Sequence, residues 1–484
     1  MANKPSLDPR TPVLVGAGTA SADVESAELM ALALEAAVAD TGVPPIRSAI
    51  DRIAVPQGSW SYPDPARLVA ERVGATKART HLTELGIPQQ VLINQALSAI
   101  RAGASEVAVV VGGEARRWAR GAGAMETAQP GARPDVIHRR PGPLLEPVEQ
   151  AHRLWDPVQQ YAMIDNALRH AEGKSVAAHR GEIADLWARF NQVATTYEGA
   201  AFPAPLSPRE IDTPSPPNRP LAFPYNKWHS TQWTVDQAAA LVFCSIGAAT
   251  RLGVDGERWV HPLAGLHSSH AVSLLGRRQP HAWPAMEVLG TAAAARIGRS
   301  LGAAEIIEVY SCFPAAVRVQ QRALALDVDG TPTITGGMAF AGGPFNNFVL
   351  QATAAVVAAA RARPGALGVV TTVSGLLTKP GIGVWSVRSD GQPLLLADLA
   401  DAARANTEVV DVVETLGGYG GKATVVTYTA TFDGLEPLRT VALCDTGDGR
   451  RCVALSDDHG LAAQVVAEEF IGCPVMVDRG TLRV

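Results

Sequence analysis

Hydrophobic and polar residues along this chain follow two periods, one typical of helices and one typical of strands. Apolar residues recur at helical spacing in Ser26–Asp40 and in Pro88–Ala102, and the Val-rich run Glu106–Val111 follows after a glycine. The same order of helix, breaker and Val-rich strand returns at Phe348–Arg361 and Leu367–Val373. This repetition predicts two similar α/β halves.

A polar segment separates the two halves. Its first part, Gly121–Gly142, is rich in Gly, Pro and Arg and is predicted to be a loop. Amphipathic helices with many aromatic residues are predicted for Glu149–Tyr197, and a Pro-rich irregular stretch for Ala201–Pro224. Long segments of this kind in compact domains are usually functional or disordered, and the aromatic content here favours an ordered covering domain.

The pattern changes again near residue 397. After a predicted helix at Asp398–Asn406, the alternating run Ala423–Phe432 is followed by an Asp-Gly turn and by further short apolar runs. These features predict a small β-barrel. We therefore expect a first half at residues 1–120 and 221–256, an inserted domain at 121–220, a second half at 257–395 and a barrel at 396–484.

Composition narrows the class of protein. Of the 484 residues, 47% are hydrophobic and 18% are charged, so a large core is available. The net charge of −5 gives no electrostatic reason to bind nucleic acid or an anionic membrane. Residues 401–484, which form the predicted barrel, hold 13 Asp and Glu against 7 Lys and Arg. No run of about 18 apolar residues occurs, so no membrane span is expected.

The cysteines are odd in number and irregular in spacing. They are Cys244, Cys312, Cys444, Cys452 and Cys473. Neither a disulfide framework nor a zinc site is expected from this spacing. His267 and His270 lie close in sequence but lack a third ligand, so we expect no metal. Scattered reduced cysteines, and an N-terminus without a long apolar run, predict a cytoplasmic protein.

Glycine is concentrated in the segment Thr335–Phe348, which reads T-G-G-M-A-F-A-G-G-P-F-N-N-F. Shortly before it, a strand is predicted to end at Tyr310 and a helix to begin near Pro314. Glycines let the backbone approach a ligand closely, and helix N-termini present free N–H groups. Together they suit the stabilisation of developing negative charge on an acyl oxygen.

The order of three short motifs resembles the second half of a thiolase. Tyr310-Ser311-Cys312-Phe313 stands where thiolases have Asn-Glu-Ala-Phe, Gly342-Gly343-Pro344 where they have Gly-His-Pro, and Val373-Ser374-Gly375 where they have Cys-x-Gly. The D-Q-A-A-A segment from Asp236 is also similar to a thiolase segment. The whole chain most resembles the bacterial thiolase-like proteins of type 1, which add a C-terminal β domain.

The resemblance implies a fold. It implies an α/β protein with two thiolase halves in an α/β/α/β/α arrangement, a helical loop domain inserted in the first half, and a C-terminal barrel similar to oligonucleotide-binding barrels. The acidity of residues 401–484 argues against nucleic-acid binding by that barrel.

The residues that a thiolase needs for catalysis are missing. The position of the nucleophilic cysteine falls near Gly86, and no cysteine precedes Cys244. Gly343 replaces the histidine, and Val373 stands where the final cysteine would be. A thiolase requires a thiolate, a histidine to activate it and a second base. Conventional thiolase activity is therefore predicted to be absent.

Three residues remain as catalytic candidates. Cys312 lies at a predicted helix N-terminus, which would lower the pKa of its thiol and make it reactive. The alternative interpretation is an inert cysteine buried in the core. Tyr310 would donate a hydrogen bond to an acyl or aldol oxygen, or else pack in the core. Asn346, with Asn347 beside it, would bind an acyl carbonyl or a pantetheine amide, or else cap a helix. Ser311 is assigned to a helix cap.

Four further residues are predicted to contact substrate. They are His229, Gly342, Gly343 and Ser374. His229 lies among aromatic residues, where the alternative is a purely structural histidine. The two glycines belong to the Gly-rich loop, and Ser374 belongs to the last thiolase-like motif.

The resemblance implies a ligand and leaves two functions open. The ligand is a coenzyme A thioester, and no other cofactor is expected. One hypothesis is an enzyme of lipid metabolism, of acyltransferase class or a Tyr-assisted retro-aldolase, that works without the usual cysteine. The other is a non-catalytic acyl-CoA-binding protein. No nucleic-acid partner is expected. A monomer or a homodimer is expected, because an added domain would cover the surface through which thiolases associate.

Overall fold

The computed structural model describes residues 8–122 and 133–484. Its strands are β1 Pro12–Ala20, β2 Arg52–Pro56, β3 Arg79–Thr83, β4 Val107–Ala115, β5 Val136–His138, β6 Pro220–Ala222, β7 Tyr225–Asn226, β8 Asp236–Ser245, β9 His261–His267, β10 Ile306–Glu308, β11 Leu367–Ser374, β12 Lys379–Ser386, β13 Leu395–Asp398, β14 Gly420–Asp433, β15 Glu436–Thr446, β16 Arg451–Ser456, β17 Pro474–Asp478 and β18 Thr481–Arg483. Its helices are α1 Ser26–Asp40, α2 Pro65–Val73, α3 Gln89–Arg101, α4 Arg116–Ala122, α5 Pro147–Ala151, α6 Pro157–Ala171, α7 Val176–Ala194, α8 Pro208–Asp212, α9 Ile246–Leu252, α10 Pro284–Ile297, α11 Pro314–Ala323, α12 Gly337–Phe340, α13 Phe348–Ala362, α14 Ala400–Ala405 and α15 His459–Val465.

The first half is built on a six-stranded sheet in the order β1-β8-β4-β2-β3-β5. β8 runs antiparallel to β1 and β4, and the other pairs are parallel. The apolar side chains of β4 alternate between the two faces: Val107 and Val109 join the core under α1, whereas Ala108 joins the core around α3. Helices on both faces explain why all ten residues of β8 are buried.

The second half repeats this plan with a five-stranded sheet in the order β10-β11-β12-β9-β13. The helix predicted at Phe348–Arg361 is α13, and the strand predicted at Leu367–Val373 is β11. Apolar residues of α3, α13 and α10 share one core with both sheets. The layers α/β/α/β/α of a duplicated thiolase fold are thereby confirmed.

The inserted segment is mainly helical, as predicted. α6 and α7 pack on α11 through a fully buried cluster: the Asp165 carboxylate accepts hydrogen bonds from Tyr225 Oη at 2.7 Å and from Arg318 Nη1 at 3.0 Å. His179 Nε2 lies 3.3 Å from the same carboxylate. Of the loop predicted at Gly121–Gly142, residues 123–132 lie outside the described part. The remainder is not all loop, because Val136–His138 pairs with β3 as an edge strand.

The C-terminal part is a closed five-stranded barrel in the order β14-β15-β16-β18-β17, with β14 paired to both β15 and β17. Its longest strand, β14, begins at Gly420, three residues before the alternating run predicted from the sequence at Ala423–Phe432. The barrel packs on α6, since Asn166 Nδ2 donates to Tyr428 O at 2.9 Å. No helix within residues 8–122 and 133–484 is both long and apolar enough to cross a membrane.

Candidate functional site

Segments of both halves meet at the N-terminal ends of α3 and α13. Gln89, in the first turn of α3, donates from Nε2 to Asn346 Oδ1 at 3.2 Å, and its Oε1 accepts the N–H of Val349 at 2.9 Å. Asn346 Nδ2 donates to Gln57 O at 2.9 Å. The side chain of Asn346 therefore fastens the two halves together, and Gln89, rather than an asparagine, caps α13. Gln89 was not among the residues predicted from the sequence.

Gly86 lies at this junction with φ +94°, a left-handed conformation that favours glycine. A Cβ at residue 86 would lie 3.0 Å from Leu144 Cδ1, 3.6 Å from Arg140 Cδ and 3.8 Å from Lys379 Nζ. Side chains from elsewhere in the chain therefore border the position predicted to have lost a nucleophile, and its backbone conformation disfavours a side chain there.

Lys379 supplies the polar group beside Gly86. Its side chain is 9% exposed, and its Nζ donates a short hydrogen bond to Gly86 O. Burial lowers the pKa of this amine. Sequence reasoning missed Lys379. The available signal was a single lysine at the start of an apolar run. All eight positions of β12 are buried, so a lysine in that run is a buried amine.

The turn between β11 and β12 holds Lys379 in place. Gly375, Leu376 and Leu377 have φ values of +64°, +60° and +57°, so three successive residues adopt the left-handed conformation. For the two leucines this conformation is costly and must be compensated by surrounding contacts. One such contact is the hydrogen bond of 2.7 Å from Arg277 Nη2 to Leu376 O. Ser374, predicted to contact substrate, opens this turn.

The Gly-rich loop leaves no room for a histidine at residue 343. A Cβ on Gly343 would lie 2.2 Å from Thr231 Cγ2, and its N–H donates to Gln232 O at 3.1 Å. Gly342 has φ +99°, and a Cβ there would lie 2.4 Å from Gln237 Oε1. Both glycines are required for the close approach of this loop to β8 and to the segment before it.

Cys312 is a buried thiol. Burial raises its pKa to about 12, although hydrogen bonding with Tyr161 favours the thiolate. The expected lowering by the helix N-terminus is not realised, because loss of solvation outweighs it. The pKa of Tyr310 is also raised by burial, and its ring meets Phe348 edge-on at a centroid distance of 6.1 Å. The geometry favours the inert alternative for Cys312 and a protonated phenol for Tyr310.

Two other predicted residues have structural partners. Ser311 Oγ accepts the N–H of Met338 at 3.0 Å, so it supports α12 and does not cap its own helix, α11. His229 is 1% exposed, and its Nδ1 accepts the N–H of Asn226 at 2.9 Å. Burial lowers the pKa of His229 to about 3, which keeps the ring neutral. Among the described residues, no group of three potential metal ligands is found.

Two cavities border these loops. One, of about 460 Å³, touches the Gly-rich loop at Gly342 and also includes Tyr197 and Gln237. The other, of about 210 Å³, touches the turn before Lys379 at Leu377 and Thr378. Small-molecule sites usually occupy about 300–1,000 Å³. Of these two cavities, the first falls within that range and the second does not. The Gly-rich loop is accessible from the first.

The two halves, the helical insertion and the Gly-rich junction give this chain the thiolase fold, with an added C-terminal barrel. It is similar over its whole length to the monomeric SCP2-thiolase like protein type 1 from Mycobacterium smegmatis: 27% of residues are identical, 98% of each chain is covered, and the TM-score is 0.83. No protein-family model matches the sequence, and no curated protein matches it.

More distant structures share the fold over about four fifths of this chain. The Ltp2-ChsH2(DUF35) aldolase is 17% identical with a TM-score of 0.60, covering 79% of this chain and 99% of that chain. Human mitochondrial 3-ketoacyl-CoA thiolase is also 17% identical, with a TM-score of 0.57 and coverage of 79% and 100%. These two likenesses establish the fold alone.

Proposed function

We propose that this protein binds a coenzyme A thioester of lipid metabolism between its two halves and does not catalyse the cysteine-dependent thiolase reaction. One observation carries the proposal. The positions predicted for the nucleophile and the histidine are Gly86 and Gly343. Gly86 has a left-handed backbone that disfavours any side chain, and a Cβ on Gly343 would overlap Thr231. The Gly-rich loop is nevertheless present beside a cavity of about 460 Å³. Similar solved structures include human 3-ketoacyl-CoA thiolase in complex with CoA, which supports the choice of ligand.

The test is a calorimetric titration with CoA, acetyl-CoA and a medium-chain acyl-CoA, together with an assay for thiolysis of acetoacetyl-CoA. We expect acyl-CoA to bind and no thiolysis to occur. Ser374→Trp should weaken binding because it fills the turn at the junction, whereas Ser389→Trp, on an exposed surface, should not. Absence of binding by every CoA compound, or turnover at a thiolase rate, would contradict the proposal.

The second candidate function is a retro-aldolase that uses Tyr310. This phenol is protonated at neutral pH, as a tyrosine of ordinary pKa already is, and burial raises its pKa further, so its O–H is a hydrogen-bond donor for an oxygen. The assay is release of ketone or aldehyde from a branched 3-hydroxyacyl-CoA. Tyr310→Phe should abolish release, whereas Tyr428→Phe, which removes a buried phenol in the barrel, should not. Equal activity in both variants would remove Tyr310 from the mechanism.

The remaining parts of the proposal concern assembly and location. We propose a monomer that functions in the cytoplasm. The barrel covers α6 of the insertion, and the similar protein from Mycobacterium smegmatis is described as monomeric. Light scattering coupled to gel filtration tests this point. A stable dimer at micromolar concentration would contradict it.

A further inference from the structure

The cavity of about 210 Å³ beside the turn between β11 and β12 shares no lining residue with the cavity beside the Gly-rich loop. Three segments line it: 270–285, which leads into α10, 377–378 of the turn, and 406–408, which follow α14. Backbone hydrogen bonds hold the last segment against the first: Arg278 N–H donates to Glu408 O at 3.1 Å, and Val410 N–H donates to Gly276 O at 2.9 Å. The segment that connects the second half to the barrel therefore forms part of this cavity.

Arg277 brings a buried charge to the lining of this cavity. It is 6% exposed, and it donates from Nε to Val272 O at 3.2 Å and from Nη2 to Leu376 O at 2.7 Å. Both acceptors are neutral carbonyl groups. Among residues 8–122 and 133–484, no acceptor for Nη1 and no ion pair of this guanidinium is found. Buried charges are usually paired, so Arg277 has an unmet demand for an anion.

The other titratable groups near Arg277 do not supply that anion. Glu149 favours the charged form of Arg277 from a distance, but it forms no ion pair with it, and burial raises the pKa of Glu149. Burial lowers the pKa of Arg277 to about 10, so the guanidinium stays charged at neutral pH. His270 is half-buried with a lowered pKa, and Arg278 and Glu408 are exposed charges of opposite sign. Of the described residues that line the cavity, Arg277 is thus the one buried charge.

The rest of the lining selects the kind of anion. Much of it is apolar, from Val272, Ala282, Trp283, Pro284, Ala285 and Leu377. The volume of about 210 Å³ is below the usual range for small-molecule sites, so the occupant is small. A guanidinium matches the two oxygens of a carboxylate, and an apolar wall matches a short hydrocarbon chain. Inorganic phosphate would leave that wall uncovered.

We propose that this cavity binds a short-chain monocarboxylic acid, with its carboxylate on Arg277 and its hydrocarbon chain against Trp283 and Leu377. The bound acid supplies the negative charge that the buried guanidinium lacks. This site is additional to the proposed binding of a CoA thioester, because the two cavities have no lining residue in common.

The test is saturation-transfer NMR on the full-length protein, titrated with sodium butyrate at constant ionic strength. Butyramide, which has the same shape without the charge, and inorganic phosphate are the comparison ligands. We expect butyrate to bind, butyramide to bind about tenfold more weakly or less, and equimolar phosphate to leave butyrate in place.

Two variants of the cavity and one control locate the site. Arg277→Gln removes the buried charge and should weaken butyrate binding by about tenfold or more. Ala282→Leu keeps that charge but fills the cavity, and should also weaken binding. Arg479→Gln removes a barrel guanidinium whose side chain is 88% exposed, and should retain the wild-type affinity. Thermal unfolding shows whether each variant is folded, and Ala282→Leu decides the matter where Arg277→Gln is not.

Several outcomes would overturn the inference. They are the absence of butyrate binding, equal binding of butyramide, displacement of butyrate by equimolar phosphate, and wild-type affinity in a folded Arg277→Gln or Ala282→Leu variant. An equal loss in Arg479→Gln would show a general effect of charge instead of a site. Displacement of butyrate by CoA would assign the acid to the site of the proposed function and would contradict a separate cavity. The CoA titrations of the proposed function are otherwise independent of this result.

Discussion

Glu308 provides a test of the structure through the pH dependence of stability. Its carboxylate is fully buried at the end of β10, next to the segment that leads into the Gly-rich loop. Oε2 accepts the backbone N–H of Ile334 at 2.7 Å and of Thr335 at 3.0 Å, and the Thr333 hydroxyl donates at 2.8 Å to Oε1. Burial raises the pKa of Glu308 to about 7, because loss of solvation outweighs these hydrogen bonds.

The magnitude follows from the two pKa values of Glu308. The carboxyl group titrates at about 7 in the folded protein, against an ordinary value of 4.5. At about 1.4 kcal/mol per pKa unit, the difference corresponds to about 3 kcal/mol of unfolding free energy. Below about pH 4.5 both states hold the proton, and this contribution is fully present. It is lost as the pH rises through about 7, because the unfolded state releases the proton first.

The perturbation is Glu308→Gln, which cannot ionise. Its amide oxygen still accepts the two backbone N–H groups, and its NH2 group donates to the threonine hydroxyls. Urea unfolding is measured for both proteins at about pH 5 and about pH 7.5. We expect the stability of the wild type relative to the variant to fall by about 2 kcal/mol between these pH values, because part of the total is already lost at about pH 5 and the folded carboxyl is itself ionised at about pH 7.5.

A carboxylate with the opposite shift is the control. Hydrogen bonds from Arg299 lower the pKa of Glu305 to about 2, so this group stays ionised throughout the same pH range. Glu305→Gln should therefore give a stability difference that is the same at both pH values. A difference for Glu308→Gln that does not change with pH would refute the reasoning about its burial.

Three further predictions concern packing and communication between domains. Gly343→His should lower the free energy of unfolding by about 1–3 kcal/mol in urea titrations, because a Cβ there overlaps Thr231 Cγ2. The control Gly391→His, at an open exposed turn, should lower it by less. Asp165→Asn should cost about 1–3 kcal/mol by the same assay, since it removes the buried carboxylate that accepts from Tyr225 and Arg318 while Arg318 keeps its ion pair with Glu172; no measurable cost would contradict this. Arg451→Met removes a hydrogen bond to Arg277 O and should raise hydrogen exchange in residues 374–378. Unchanged exchange would show that the barrel does not affect the local stability of that turn.

The sequence predicted the elements whose signal is local. The helix predicted at residues 348–361 spans 348–362, and the strand predicted at 367–373 spans 367–374. Both follow from apolar periodicity and from breakers at their ends, which act within a few residues. The extra C-terminal barrel and the duplicated halves followed from the order of such elements. Boundaries were less exact where a strand continues through glycines, as at Gly420.

The candidate site was predicted less well, because its contacts join residues far apart in the chain. Ser311 supports a helix 27 residues later and does not cap its own. Asn346 looked like a free ligand group, but Gln89, 257 residues away, bonds to it. The pKa of Cys312 depends on how deeply the thiol is buried, and burial is a property of the packed core, not of the local helix N-terminus.

The sequence by itself determined what is missing. A chain without cysteine before residue 244, and with glycine at 343, has neither a cysteine nor a histidine at the positions predicted for the thiolase nucleophile and histidine, because residue identity does not depend on folding. Only the tertiary structure decided what fills the empty space. Lys379 reaches Gly86 across 293 residues of sequence, and burial among segments from both halves gives that amine its lowered pKa.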